Sequence, residues 1–174
     1  MKSPLVRHAA TYGFYIGLAL IVRSLLDYLF GFYGQNQAFN IVAYLIMAIG
    51  IVWATIQYRD KEKEGFISYG DSVGYGVLLS LFFGAVTAVF TVILVTLISP
   101  DYMEHVMNIT RDALYEDGLF TEEQIEMSIA MMEKFRSPVF LLFGGIIGSV
   151  IVGLIISLIA SIFIKRNRPM FNEQ

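Results

Sequence analysis

Four apolar stretches, each long enough to cross a hydrocarbon core, constrain this chain more than any other feature. They run over about residues 9–30, 39–57, 72–98 and 139–164, and a helical crossing needs about 20 residues. Backbone groups in lipid must be bonded within their own segment, so stretches of this length read as helices. The period-two alternation of a membrane barrel is absent. The predicted fold class is an all-α membrane protein with four transmembrane helices, residues 1–174 forming a single domain. Stretches three and four exceed a minimal crossing, which calls for tilt or an interfacial end.

Composition excludes the main alternatives. The chain is 56% hydrophobic and 16% charged, whereas a soluble domain is roughly 45–50% apolar and about a quarter charged. A net charge of −3 provides no basic footprint for nucleic acid. The absence of cysteine removes disulfides, thiolate metal sites and cysteine catalysis together. The first stretch is no cleaved leader: it is too long, lacks a small-residue cleavage pattern and carries Arg23 and Asp27 before its end.

Lysine and arginine gather on the cytoplasmic side of a membrane protein. With both termini inside, Lys2, Arg7, Arg59, Lys61, Lys63, Lys165, Arg166 and Arg168 are cytoplasmic. Arg111, Lys134 and Arg136 fall outside, and Arg23 lies within the first span. The expected topology is therefore N-in and C-in, with residues 99–137 as an extracytoplasmic insertion.

That insertion holds nine acidic residues against three basic ones. Met103, Val106, Met107, Thr110, Ala113 and Leu114 recur at helical spacing. Asp117-Gly118 ends the pattern, with glycine suited to a helix C-terminus. Thr121-Glu122-Glu123-Gln124 restarts it as a capping box, and Ile125, Ile129, Met132 and Phe135 continue the apolar face. A helical hairpin follows, expected to lay its apolar face on the ends of the spans as a lid or to offer it to a partner. Thioethers bind copper(I), so Met103, His105 and Met107 form a minor copper candidate. Methionine is also an adaptable packing residue, and these methionines share a stripe with aliphatic side chains. No cofactor or metal is therefore assigned.

Within the spans, Arg23 and Asp27 stand four apart on one helix face and can pair. Such charges are functional candidates by default. Their place in the outer third of the span favours a structural role, with Arg23 reaching the headgroups beside Asp27. Small residues recur as Gly13-x3-Gly17, Gly70-x3-Gly74 and Gly144-x3-Gly148, and span four adds Gly145, Ser149, Gly153, Ser157 and Ser161. They let helix backbones approach closely, within the chain or along a homodimer seam. Gly13, Gly17, Gly144, Gly148 and Gly153 are the expected packing positions.

Catalytic arrangements are missing. His8 and His105 fall on opposite sides of the bilayer, no histidine is expected within any span to activate a serine, and Asp27 and Asp71 lie near opposite faces. There is no phosphate-cradling Gly-x4-Gly-Lys loop. An enzyme is not expected.

The Tyr-Arg-Asp-Lys and Gly-Phe-Ile-Ser-Tyr-Gly-Asp segment at 58–71, Ile-Ser-Pro-Asp-Tyr at 98–102, the acidic stretch at 121–126 and the small-residue fourth span occur in a definite order. In these features the chain resembles, over essentially its full length, an uncharacterised family of bacterial inner-membrane proteins known as a domain of unknown function. The resemblance implies four spans in a bacterial inner (plasma) membrane and brings no activity, substrate or site residue. The reading favoured by the sequence is a non-enzymatic association or structural module, partnered by lipid and by a second copy or another membrane protein. The alternative is a small transporter or channel subunit using Arg23 and Asp27.

Overall fold

The computed structural model describes residues 4–167, which form an all-helical bundle. Lys2 and Arg168, counted in the charge asymmetry, lie outside the described residues. Helix α1 spans Pro4–Leu29, α2 Gln37–Glu62, α3 Tyr69–Ile93, α4 Tyr102–Asp117, α5 Glu122–Lys134 and α6 Pro138–Ile164. A π-helical turn, Leu94–Ile98, extends α3 toward Pro100 and closes with Ser99 N–H on the Leu94 carbonyl at 2.7 Å. Four helices are long and apolar enough to cross a membrane: α1, α2, α3 with its π turn, and α6.

These four form a ring in which α3 packs along α1 and α6, while α2 closes the circle against the same two helices. The α3–α6 seam is the most extensive, and its register explains why. Ser72 Oγ lies 2.8 Å from Ser161 Oγ. Four residues on, a Cβ at Gly76 would run into Ser157, and one at Gly153 would strike Ser80. A Cβ at Gly84 would meet Ser149 Cβ at 2.7 Å, and one at Gly145 would meet Ala88 Cβ at 3.2 Å. Five small pairs thus follow one antiparallel register, each helix advancing four residues per step. Close backbone approach replaces the hydrophobic drive that lipid does not supply.

A second seam joins α1 to α3. A Cβ at Gly13 would come within 2.6 Å of Phe82 Cβ, and one at Gly17 within 2.9 Å of Val86 Cβ. Leu79 and Phe83, both wholly buried, fill the centre beside Ile51 and Ala54.

Both described ends of the chain lie at one end of the bundle. There the α2–α3 connector meets the exit of α6 through an antiparallel bridge: Ile67 N–H to Arg166 O at 3.0 Å and Arg166 N–H to Ile67 O at 2.9 Å. Arg59 donates to the Ile164 carbonyl at 3.1 Å, satisfying an orphan group of α6's last turn.

The opposite end carries the α4–α5 hairpin. Gly118 ends α4 in the left-handed conformation at φ 62°. Thr121 Oγ1 accepts from Gln124 N–H, and the Gln124 side chain accepts from Thr121 N–H, completing the capping box. Met107, Ile125 and Ile129 are buried, but α5 packs chiefly on α4. The hairpin therefore buries much of its apolar face on itself. It is less a lid than a paired-helix appendage, held at the base of α4.

Candidate functional site

Arg23 and Asp27 project from the last two turns of α1 into the α1–α2 turn. The Arg23 guanidinium faces Asp27 Oδ1 at 3.5 Å. It also donates to the Phe39 carbonyl at 3.1 Å and to Asn40 Oδ1 at 3.0 Å, and lies 5.6 Å from the centroid of the Phe39 ring. Asp27 is only 2% exposed. Its Oδ2 accepts from Gly34 N–H at 2.8 Å, and Asn40 Nδ2 donates to Gly34 O at 2.8 Å. Gly34 takes φ +79°, a conformation costly for any residue with a Cβ. The charges thus clamp a tight turn between two helices, with Arg23 bonded to the start of α2. A cavity of about 180 Å³ borders Arg23, with Ser24, Thr87 and Thr91 among its walls.

The same clamp anchors the hairpin. Tyr102, at the start of α4, packs its ring against Tyr28 and Tyr33, and Tyr33 meets His105 edge to face at 5.0 Å. Burial, seconded by the Asp27 carboxylate, pushes the Tyr102 phenol above its ordinary range. Met103, His105 and Met107 do not converge on a common point. Met107 is buried and His105 is exposed, as expected when a step of two residues turns a helix by about 200°. Among the described residues no group of three or more histidine and acidic side chains could hold a metal ion.

The glycines divide into two sets. Gly13, Gly17 and Gly153 lie in close helix contacts, whereas a Cβ at Gly144 or Gly148 would meet nothing within 4 Å. Of the two expected uses, packing within the chain is not made by Gly144 and Gly148: they occupy the row beside Gly145 and Ser149, turned outward. Gly70 and Gly74 are likewise open. Along the Gly144–Gly148 row, Val152 and Ile156 follow at the same spacing. Both line an apolar cleft of about 480 Å³ between α2 and α6, opposite Ile41, Tyr44, Leu45 and Ala48.

One cluster had no warning in the sequence. At the end of the bundle where the described termini lie, His8 Nδ1 lies 2.7 Å from Tyr75 Oη. The His8 ring stacks on Tyr12 at 4.3 Å, and Tyr58 stacks on Tyr75 at 4.5 Å. His8 Nε2 is buried without a hydrogen-bond partner. His8 and Tyr12 share a helix face by spacing, but Tyr58 and Tyr75 come from two other helices, so no local pattern links them.

Four membrane-length helices, polar clamps at their ends and small-residue seams between them define a multi-pass α-helical membrane protein. Within that class the chain belongs to a family described as a protein of unknown function (DUF4199), whose model matches residues 11–166. No curated protein and no solved structure matches it.

Proposed function

We propose that this protein is a non-enzymatic association module of a bacterial inner membrane, which binds a further transmembrane helix along α6. The observation that carries the reading is the open pair Gly144 and Gly148, on a row that leads into the apolar cleft between α2 and α6. Small residues facing away from every neighbour in the chain lower the cost of close approach by another helix. Helix α6 also has only 6% of its apolar stretch buried within the chain, against 22–28% for the other three. A second copy of the chain is the first expected partner, another membrane protein the second.

The transport alternative has less support, because Arg23 and Asp27 are engaged in closing the α1–α2 turn. The proposed orientation places both termini in the cytoplasm and the hairpin outside. It rests on Arg7, Arg59, Lys61, Lys63, Lys165 and Arg166 at one end of the bundle.

Crosslinking in native membranes tests the association. Gly144→Ile and Gly148→Ile are expected to lower the crosslinked dimer at least roughly tenfold, as loss of about 1.4 kcal/mol would, while leaving the amount of inserted protein unchanged. A dimer yield equal to the native chain's would rule out this face.

A further inference from the structure

Beneath the α2–α3 connector, at the end of the bundle where the described termini lie, two cavities adjoin. One, of about 310 Å³, is lined by Lys63, Phe66, Ile67, Ser68, Asp71, Arg166 and Asn167. The other, of about 280 Å³, runs between α1 and α3, with Leu5, Tyr58, Gly74 and Tyr75 among its walls. Lys63 and Asp71 border both. The charges come from three separate parts of the chain: Lys63 from the end of α2, Asp71 from the first turn of α3, and Arg166 from beyond α6. The Ile67–Arg166 bridge fixes the last of these against the connector, and the Lys63 ammonium lies 6.0 Å from the centre of the Tyr58 ring. Among the described residues Asp71 forms no ion pair with Lys63 or Arg166, so three formal charges line neighbouring hollows without contacting one another.

This place is at the lipid–water boundary, because α1 and α3 begin and α2 and α6 end there. Basic pockets between spanning helices at that level are suited to phospholipid headgroups. Asp71 makes the chemistry more selective. A purely anionic headgroup satisfies Lys63 and Arg166 but is repelled by the carboxylate. A quaternary ammonium satisfies the charge of Asp71 but has no N–H to give it. A headgroup with both a phosphodiester and a primary ammonium meets all three.

We infer that these cavities hold the headgroup of an ethanolamine phospholipid, its phosphate between Lys63 and Arg166 and its ammonium at Asp71. The open faces of Gly70 and Gly74, where a Cβ meets nothing within 4 Å, leave room beside Leu5 for the start of an acyl chain. The site is separate from the α6 face, so its failure and the failure of dimerisation are read independently.

Native mass spectrometry of the full chain, released from detergent with equimolar dioleoyl phosphatidylethanolamine, phosphatidylglycerol and phosphatidylcholine, provides the test. Phosphatidylethanolamine should be retained roughly tenfold over phosphatidylcholine, the size expected of one hydrogen bond to a charged group. Lys63→Gln with Arg166→Gln should lower retention of both phosphatidylethanolamine and phosphatidylglycerol. Asp71→Asn should bring phosphatidylethanolamine down to the level of phosphatidylcholine and raise the retention of phosphatidylglycerol. Should the double variant fail to fold, Gly74→Leu fills the second cavity without touching a charge and should lower the retention of all three lipids. Equal retention of the three lipids, a preference that survives Asp71→Asn, or retention unmoved by Gly74→Leu overturns the proposal. Competition by free phosphoethanolamine as effective as by the lipid would overturn the lipid source and leave a soluble amine phosphate as the ligand.

Discussion

Asp27 shows how a single charge can be structural at a depth where charge is expensive. An unpaired carboxylate in a low-dielectric setting costs several kcal/mol, yet this one has Gly34 N–H at 2.8 Å and the Arg23 guanidinium at 3.5 Å. Its removal leaves Arg23 half-buried beside an unfilled space and frees the Gly34 amide. Asp27→Ala should therefore destabilise the bundle by about 3–5 kcal/mol, the usual cost of breaking a buried pair. Asp27→Asn, which keeps an acceptor for Gly34, should cost less than half of that. Reversible unfolding in mixed micelles reads both; equal losses for the two variants would mean that the amide acceptor is not what matters. The pairing of Arg23 with Asp27 is legible from their spacing. Their use is not, because Gly34, Phe39 and Asn40 reach them only after the chain has turned back on itself.

At the scale of the helix, the two rows of α6 make opposite demands. The row containing Gly145, Ser149, Gly153, Ser157 and Ser161 interlocks with Ser72, Gly76, Ser80, Gly84 and Ala88 of α3. Gly153→Ile drives a branched side chain into Ser80 and should lower stability by about 1–3 kcal/mol, the ordinary range for overpacking. Gly148→Ile, on the neighbouring row, should change monomer stability by no more than about 0.5 kcal/mol, as at other uncrowded surface positions. Thermal unfolding of the detergent-solubilised monomer distinguishes them, and similar losses at the two sites would deny the α3–α6 register. The recurrence of small residues every four positions is plain in the sequence of α6, whereas in α3 it points to Gly70 and Gly74 and not to the row from Ser72 to Ala88 that makes the seam. Which row meets which neighbour is not plain, since adjacent rows differ by one residue and only the position of α3 selects between them.

For the whole molecule, the unequal ends of the bundle carry the prediction. The end with the described termini gathers Arg7, Arg59, Lys61, Lys63, Lys165 and Arg166, and the hairpin end is strongly acidic. Because the chain has no cysteine, single thiols can be placed at will. A membrane-impermeant maleimide applied to intact cells should label Asn108→Cys on the hairpin and spare Glu64→Cys in the connector until the membrane is opened. The reverse pattern would invert the topology.

The length of the apolar runs determined that the chain is a membrane protein with four helices of spanning length, because a bilayer requires about 20 consecutive apolar helical residues and satisfied backbones. Local chemistry likewise determined the hairpin, with its Gly118 terminus and its Thr121 capping box. These are properties of neighbours in sequence. The tertiary structure alone decided that Arg23 and Asp27 hold a turn, that Gly144 and Gly148 face outward, and that Lys63, Asp71 and Arg166 border one pair of cavities. Each depends on residues brought together from separate helices, where register and rotation are set by the packing of the entire bundle.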